Sequence, residues 1–412
     1  MLQGLALDRP FFWSSTALLL LVSVVYISGG FPWRKHYKLE PSGSAKDVTT
    51  SVDESLDKRT RAQDEHELEI AVPFPLGDIH VSKILVHPIK SCRGTSLQEA
   101  RYTPQGIEND RKWCIVDACS NAVITAREFG KMVLITPRVV PDFSSPLGGE
   151  LVISFPDGYG CETFSVPLNP TSDVLKNWKI IENSLWGTII DGYICQSLSP
   201  STLSPSTILS TYFGRPVHLV MKGPQPRECA PTLGVPDLQA TTLFQDGFPL
   251  LVASEESLQQ LQERVHTAAV KSPEEAHIGG LDHARWRDGE LPMERFRPNI
   301  VLKGAGVPFA EDMWREIVVS PDRALDPASA PPQQTITLVS KCTRCLLPNV
   351  DIATGVRDAA VPFKVLMKFR TGKDPARMNQ SCFGCNAVYG GEGVLHVGDW
   401  VRVKTWAGRG GV

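Results

Sequence analysis

The sequence lacks an excess of basic residues, because its 412 residues contain 42 Lys and Arg against 45 Asp and Glu. No basic excess is present to neutralise a nucleic-acid backbone, which argues against general nucleic-acid binding. The sequence also lacks the glycine-rich phosphate loop, the dinucleotide fingerprint, the Gly-x-Ser-x-Gly elbow and the His-Glu-x-x-His zinc motif. Several large enzyme classes are therefore set aside.

Cysteine spacing gives no disulfide framework, although the number of cysteines, ten, is even. Four of them form two Cys-x-x-Cys pairs, Cys342/Cys345 and Cys382/Cys385, and the other six are scattered. In a chain of this length, the pattern favours reduced thiols with one metal or cofactor site among them.

A charge-free apolar run is present only near the N-terminus, over residues 11–27. At 1.5 Å per residue it spans roughly 25 Å, enough for one membrane helix, and Arg34 and Lys35 follow it. The run predicts a membrane anchor over residues 1–40, with the remainder of the chain in the cytosol. A cleaved signal peptide is the alternative. Residues 41–74 are polar and predict a disordered tether.

The remaining sequence predicts an α+β fold that is predominantly β, with domains at residues 75–236 and 237–408. Apolar runs of strand length occupy residues 79–86, 112–116, 133–135, 151–155, 296–302 and 335–339, and residues 394–403 predict a closing hairpin. Ser254 is a candidate N-cap for a helix whose apolar face includes Leu258, Leu261 and Val265. Residues 197–211, 223–234 and 321–334 are predicted loops.

The two Cys-x-x-Cys pairs allow several chemical interpretations. Four thiolates could hold a structural zinc ion, although 36 residues separate Cys345 from Cys382. A redox dithiol is a second interpretation, and a single thiolate ligating a softer metal is a third. Buried cysteines without chemical function are the fourth. Spacing alone leaves all four open.

Cationic side chains stand beside several predicted strand ends. Strand alternation over residues 296–302 places Arg297 and Asn299 on one face and Phe296 on the other. Lys90 and Arg111 flank two further predicted strands. Guanidinium groups suit phosphate, so these residues fit an anionic cofactor, with solvated strand ends or ion pairs as the alternative.

Two groups of motifs, in order along the chain, resemble those of the MOSC proteins. The first group is His87-Pro88-Ile89-Lys90-Ser91-Cys92-Arg93-Gly94, Asp110-Arg111-Lys112-Trp113 and Thr125-Ala126-Arg127, similar to the family's N-terminal β-barrel module. The second group is similar to the MOSC domain itself: Arg297-Pro298-Asn299-Ile300, Ala310-Glu311-Asp312-Met313-Trp314, Cys342-Thr343-Arg344-Cys345, Asp351 to Gly355, Phe383-Gly384 and Val397-Gly398-Asp399. The layout resembles the mitochondrial amidoxime reducing components and the C-terminal part of the molybdenum cofactor sulfurases.

This resemblance implies an N-terminal β-barrel module, a MOSC β-barrel domain and a molybdenum cofactor, in which a pterin dithiolene carries the metal. It implies that Cys345 is the catalytic residue and the protein ligand to molybdenum. It also implies that the cofactor is held by Lys90, Ser91, Arg111, Arg297, Asn299, Thr343, Arg344 and Asn386.

The resemblance further implies reduction of a small N-hydroxylated or N-oxygenated substrate. The sequence has no flavin, haem or nicotinamide motif, so cytochrome b5 and NADH-cytochrome b5 reductase are the implied electron donors. The implied location is the mitochondrial outer membrane, facing the cytosol. One alternative is a molybdenum cofactor or sulfur carrier without turnover. Pyridoxal phosphate binding is associated with the sulfurases, although their separate domain for it is missing here. A zinc-stabilised membrane adaptor is the other alternative.

The sequence departs from the family pattern at several positions. Asp246-Gly247-Phe248 and Pro348-Asn349 replace small hydroxyl residues, which predicts a different substrate pocket. Cys382 and Cys385 are additional to the pattern. Residues 197–211 and 274–291 are predicted insertions.

Overall fold

A closed seven-stranded β-barrel is the largest element of the computed structural model, which describes residues 74, 76–197, 203–408 and 410–412. The strands of the described residues are β1 His80–Val86, β2 Thr95–Leu97, β3 Glu99–Thr103, β4 Gly106–Ile107, β5 Trp113–Asp117, β6 Thr136–Pro141, β7 Gly149–Ser154, β8 Phe164–Pro167, β9 Ile180–Leu185, β10 Thr188–Ile194, β11 Val217–Lys222, β12 Arg227–Glu228, β13 Thr241–Thr242, β14 Leu250–Ser254, β15 Ile300–Lys303, β16 Trp314–Ser320, β17 Thr335–Thr343, β18 Cys382–Tyr389, β19 Gly393–His396 and β20 Trp400–Trp406.

Helices are short and few among the described residues. The α-helices are α1 Ser172–Leu175, α2 Pro205–Phe213, α3 Glu255–Val270, α4 Pro273–Ala276, α5 His283–Asp288 and α6 Phe363–Phe369. Single turns of 3₁₀-helix occupy Gly130–Leu134, Met293–Phe296, Ala310–Met313, Pro327–Ser329, Pro332–Gln334 and Leu347–Asn349. The predicted α+β fold, predominantly β, is confirmed.

The barrel has the strand order β15-β14-β18-β17-β16-β20-β1, and pairing of β1 with β15 closes it. β14 and β15 are parallel, so a crossover must connect them, and α3 provides it. The predicted N-cap of α3 is present, because the Ser254 side chain accepts a hydrogen bond from the backbone N–H of Ser257. Leu261 and Val265 of α3 are fully buried against the outside of the barrel, with Ala253 and Val301. Strands covered on both sides are largely apolar, and in β14 all five residues are buried and the first four are apolar.

The first strand of the described chain belongs to this barrel. β1 pairs antiparallel with β15, with Ile84 opposite Ile300, and also pairs with β20. The segment after β1, residues 87–94, therefore starts beside the segment that leads into β15. Residues that are about 200 positions apart in the sequence meet at this end of the barrel.

The N-terminal half contains two further sheets around a second core. One sheet has the order β5-β11-β10-β9 and the other has the order β6-β7-β8. Trp113, Ile115, Leu151 and Leu219 are fully buried there. The predicted strands over 112–116 and 151–155 lie in these sheets as β5 and β7.

Two local predictions in the N-terminal half are wrong. Residues 133–135, predicted as a strand, lie largely in the 3₁₀-helix Gly130–Leu134, because a short apolar run fits a buried helical turn equally well. The predicted loop over 197–211 contains most of α2. Ser204 caps this helix, Pro205 occupies its first turn, and Ile208 and Leu209 are buried.

Two predictions in the C-terminal half are also wrong. Residues 296–302 are not one strand, because Arg297 has φ 58° and ends a 3₁₀-helix before β15 begins. Residues 394–403 do not form a hairpin, because β19 pairs with β3 whereas β20 pairs with β16. The Gly398-Asp399 turn is held instead by two backbone hydrogen bonds to Val81.

The predicted anchor over residues 11–27 lies outside the described residues, as does the predicted tether except for Phe74. Within residues 74, 76–197, 203–408 and 410–412, no helix is sufficiently long and apolar to cross a membrane.

Candidate functional site

One cavity lies between the segment after β1, the loop before β14, the turn before β15 and the end of β17. It encloses about 760 Å³, including the part that opens to solvent. All nine predicted site residues line it: Lys90, Ser91, Arg111, Arg297, Asn299, Thr343, Arg344, Cys345 and Asn386. Their assignment as cofactor ligands stays a prediction, but the fold places them around a single space.

Lys90 is buried at the wall of this cavity and forms an ion pair with Asp246. Its Nζ donates to Asp246 Oδ1 at 2.6 Å and to the carbonyl oxygen of Phe244 at 2.7 Å. Burial lowers the pKa of Lys90, and Asp246 partly offsets that effect. Burial works against ionisation of Asp246, but Lys90 and Arg127 outweigh it and hold the pKa of Asp246 below its ordinary value. The ionised form of Asp246 is therefore favoured beside Lys90.

Arg111 is positioned by its sequence neighbour. Its Nη1 donates to Asp110 Oδ2 at 2.6 Å, and its Nη2 donates to the carbonyl oxygen of Arg297 at 2.9 Å. Asp110 is fully buried and also accepts from the backbone N–H of His87 at 2.8 Å. Burial opposes ionisation of Asp110, but Arg111 and His87 lower its pKa to about 2. His87 is buried beside two arginines, so its pKa falls well below the ordinary value and the ring is neutral.

Arg297 reaches the cavity from a left-handed backbone conformation, with φ 58°. Its Nη1 donates to the carbonyl oxygen of Cys92 at 2.7 Å, whereas its Nη2 is buried without a protein partner. Burial and the neighbouring Arg111 lower the pKa of Arg297 to about 9. A guanidinium group with an unused donor is suited to an anion.

Asn299 joins three strands of the barrel. Its Nδ2 donates to the carbonyl oxygen of Leu85 at 3.3 Å, and its Oδ1 accepts from the backbone N–H of Leu251 at 3.2 Å. Alternation predicted that Phe296 points away from Arg297 and Asn299, but Phe296 lines the same cavity. The turn of 3₁₀-helix before Arg297 removes the strand periodicity on which that prediction depended.

The Cys342–Cys345 segment forms another wall of the cavity. Cys345 is half-buried, and its Sγ accepts from the backbone N–H of Leu347 at 3.4 Å. Arg344 donates through Nη1 to Cys342 Sγ at 3.0 Å and through Nη2 to the carbonyl oxygen of Phe296 at 2.7 Å. These bonds leave Arg344 Nε buried without a partner. Cys345 can thus present its thiol to a group in the cavity.

Thr343 and Asn386 complete this wall. Thr343 Oγ1 accepts from Arg377 Nη1 at 3.0 Å, and Asn386 Nδ2 donates to Ser340 Oγ at 3.0 Å. Gly384, two residues before Asn386, has φ 71°, and a Cβ there would lie 2.7 Å from the carbonyl oxygen of Val252. Only glycine fits this close approach, which sets the path of β18 past the cavity.

The second Cys-x-x-Cys pair does not join the first in a metal site. Cys382 and Cys385 are fully buried, and the Cys385 Sγ lies 3.6 Å from Asp312 Oδ1. In the part of the chain that the structure describes, no three His, Cys, Asp or Glu side chains are grouped to hold a metal ion. The four-thiolate zinc interpretation thus has no support from this geometry.

The charge and the unused donors of the cavity fit an anionic group. Five cations line it, namely Lys90, Arg111, Arg127, Arg297 and Arg344, against one lining carboxylate, Asp246. Three of these arginines keep a buried nitrogen without a protein partner: Nη2 of Arg297 and Nε of Arg127 and Arg344. Buried donors normally have partners, so these three nitrogens are available to an acceptor that enters the cavity.

Sequence reasoning missed part of the lining. The sequence indicates Asp246 only as a departure from a family pattern, whereas in the structure it pairs with Lys90 and accepts from Trp186 Nε1 at 3.1 Å. Gln245 is buried and donates to the carbonyl oxygen of Asp110 at 3.1 Å, which ties the 245–248 loop to Arg111. No spacing rule links Trp186, Gln245 and Asp246 to Lys90, because only the tertiary fold brings them together.

Two protein families match this chain over adjacent regions. The MOSC N-terminal beta barrel domain matches residues 78–199, and the MOSC domain matches residues 239–402. Of the cavity residues, Lys90, Ser91 and Arg111 lie in the first region, and Arg297, Cys345 and Asn386 lie in the second. The cavity is thus built by both domains. Pyridoxal phosphate binding, associated above with the sulfurases, has no support from either match.

Several named proteins are similar to this chain over most of its length. The chain is 26% identical to mitochondrial amidoxime-reducing component 1 of Mus musculus, over 77% of this chain and 80% of that protein. It is also 26% identical to mitochondrial amidoxime reducing component 2 of Homo sapiens, over 70% and 72%. It is 27% identical to the molybdenum cofactor sulfurase of Danio rerio, over 71% of this chain but only 31% of that protein.

One classification follows from four observations. They are the order of the motifs, the barrel closed by β1, the cationic cavity with Cys345 in its wall, and the two matched domains. The chain belongs to the MOSC-domain proteins, with a MOSC N-terminal β-barrel domain ahead of the MOSC domain, and is similar to the mitochondrial amidoxime-reducing components.

Proposed function

We propose that this protein is a molybdenum-cofactor-dependent oxidoreductase that reduces N-hydroxylated or N-oxygenated substrates. The observation that carries the proposal is the cavity itself, where a half-buried thiol faces five cations with three unused donors. A thiolate is a suitable ligand for a redox-active metal, and guanidinium groups suit the phosphate of a pterin cofactor. The names of the relatives point to the same chemistry.

The cavity residues would have different roles in binding the cofactor. Arg297 and Arg111 would bind anionic oxygens of the cofactor, and Lys90 would add a positive charge. Cys345 would ligate molybdenum. Ser91, Asn299, Thr343, Arg344 and Asn386 would provide further contacts around the pterin. When bound, the cofactor would supply the two-electron chemistry that takes the oxygen atom from an N–O bond.

Electrons would come from a separate protein. We infer cytochrome b5 and NADH-cytochrome b5 reductase as donors, on the family resemblance. The apolar run over residues 11–27 would hold the enzyme at the mitochondrial outer membrane, facing the cytosol. Fractionation of cells that express the full chain, compared with a chain starting at residue 41, tests this location. Loss of mitochondrial membrane association in the shorter chain is expected, and unchanged distribution would contradict it.

Metal analysis and a reductase assay test the enzymatic proposal. The full chain, made in a host that synthesises the cofactor, should contain about one molybdenum per chain and reduce benzamidoxime with a reconstituted electron chain. Cys345→Ala should abolish the reduction while the protein stays folded. Cys119→Ala, which removes an exposed thiol remote from the cavity, is the matched control. Retained activity in Cys345→Ala would refute the proposed role of Cys345.

A cofactor or sulfur carrier is the second candidate, because one relative is a molybdenum cofactor sulfurase. It predicts bound molybdenum without reduction of any N-oxygenated compound. Zinc at one per chain without molybdenum would contradict both candidates.

A further inference from the structure

A groove opens from the cavity on the side of Cys345 and leads outward. Arg127, Arg344 and Cys345 line both the cavity and this groove, which we call the outer groove. Arg357 and Ser381 line the outer groove but not the cavity. A molecule that reaches the thiol from solvent along this side must pass them.

One wall of the outer groove is apolar. Phe363 and Met367 are four residues apart on α6, so they share one face of that helix, and both are half-buried. Leu346, 40% exposed, also lines the groove. Such a wall suits the flat apolar body of a small molecule.

The rest of the outer groove carries positive charge and an unused hydroxyl group. Arg357 is exposed and donates to the backbone carbonyl of Arg127, and the described residues provide no carboxylate partner for it. Ser381 is fully buried, and its Oγ has no hydrogen-bond partner. No Asp or Glu lines the outer groove among the described residues, which contribute three arginines to it.

These features favour substrates of one charge. Arg127 lies 3.8 Å from the Asp246 carboxylate of the cavity, whereas Arg344 and Arg357 have no carboxylate partner among the described residues. The net positive charge of the three guanidinium groups repels a cation and attracts an anion. If Arg344 and Arg127 are used by the cofactor, Arg357 and the Ser381 hydroxyl still remain for the substrate. We propose that the outer groove binds N-oxygenated substrates that carry an anionic group on an apolar body, with Arg357 and Ser381 holding the anion. This inference rests on the proposed function for its reaction, but its binding step can be measured alone.

Binding to the full chain as purified, without electron donor, tests the groove directly. The probes are benzamidoxime and its 4-carboxylate, 4-phosphonate and 4-trimethylammonium derivatives, measured by calorimetry. We expect an anionic derivative to bind about tenfold more tightly than benzamidoxime, as one charge-assisted hydrogen bond provides. Comparison of the affinities of the carboxylate and phosphonate derivatives shows which of the two anions the outer groove prefers. Tighter binding of the cationic derivative would overturn the inference.

Substitutions in the outer groove identify the residues that bind the anionic group. Arg357→Gln and Ser381→Ala should each weaken binding of the preferred anionic probe by about tenfold and leave benzamidoxime binding unchanged. Arg138→Gln, at an exposed arginine on β6, is the matched control and should change neither. Equal affinities of the neutral and anionic probes, or unchanged binding in both groove variants, would overturn the inference.

Turnover separates failure of the groove from failure of the proposed function. If the anionic probes bind as expected but no probe is reduced by the molybdenum-loaded enzyme, the groove stands and the reductase proposal fails. If benzamidoxime is reduced and the anionic probes show neither a lower KM nor dependence on Arg357, the reductase proposal stands and the groove inference fails.

Discussion

Arg297 donates from Nη1 to the carbonyl oxygen of Cys92 at 2.7 Å, although 205 positions of the sequence separate the two residues. A second hydrogen bond joins the same two segments of the chain, because Arg111 donates to the carbonyl oxygen of Arg297 at 2.9 Å. These bonds connect the two matched domains at the cavity. They also hold the Arg297 guanidinium with its Nη2 unused.

Replacement of Arg297 by Lys should weaken retention of the cofactor. One amine can reach the Cys92 carbonyl or an anion in the cavity, but it lacks the fork with which a guanidinium group reaches both. We expect an affinity for the cofactor roughly tenfold lower, equivalent to one charge-assisted hydrogen bond. The amount of molybdenum per chain after extended dialysis measures this loss of affinity, with Arg138→Lys as control. Unchanged molybdenum content would show that Nη2 does not bind the cofactor.

Asp110→Asn should destabilise the protein at neutral pH by about 3 kcal/mol, because it leaves Arg111 buried without its ion pair. The pKa of Asp110 is lowered to about 2 from 3.8, so its stabilising effect is present above about pH 4 and is lost as pH falls towards 2. Urea unfolding of both proteins should therefore give free energies that differ most at pH 7 and converge below pH 4. A constant difference down to pH 3 would contradict the assignment.

Much of this site could be predicted from sequence because short motifs fix local chemistry. Lys90, Arg111 and Arg297 each follow or precede an apolar run, and their charge fits an anionic partner, with solvated strand ends or ion pairs as the alternative. The family resemblance then predicts that these segments meet. Spacing alone could not show this, since the meeting depends on β1 closing a barrel of later strands.

The parts that sequence could not predict depend on tertiary contacts. Asp246 pairs with Lys90 across 156 positions, and no local pattern encodes that distance. The Gly398-Asp399 turn has the composition of a hairpin, yet its two flanking strands enter different sheets, since β19 pairs with β3 and β20 pairs with β16. Asn299 could be placed at the cavity, but its bonds to the backbone of β1 and β14 require the barrel.

The cysteines should differ sharply in reactivity. Burial raises the pKa of Cys382 from 9.0 to about 12, so its thiolate fraction at pH 8 falls about a thousandfold. Burial raises the pKa of Cys92 to about 12 as well. Iodoacetamide at pH 8, followed by peptide mass spectrometry, should label the exposed Cys119 and leave Cys382 and Cys92 unmodified in the native protein.

Urea-unfolded protein supplies the control for this labelling, because all ten thiols should then react. Rapid native labelling of Cys382 would contradict its burial. Such labelling would instead support the interpretation of Cys382 and Cys385 as a redox dithiol.

Glu311 is a fully buried carboxyl group that is not among the residues lining the cavity. Ser254 and Ser257 hydroxyl groups donate to it at 2.9 and 2.7 Å. Burial and the neighbouring Asp312 raise its pKa from 4.5 to about 7 despite these bonds. Its protonated form is therefore favoured in the folded protein below about pH 7.

Glu311→Gln should make the protein more stable than wild type at alkaline pH. Because the folded pKa is raised, the wild-type carboxyl group contributes full stability below about pH 4.5 and loses it as pH rises through about 7. Glutamine keeps the neutral shape and cannot ionise, so the variant should gain up to about 3 kcal/mol at pH 8 relative to its difference at pH 4. Thermal unfolding at the two pH values measures this change. A stability difference that does not grow with pH would mean that Glu311 is ionised throughout, with its charge balanced by the protein.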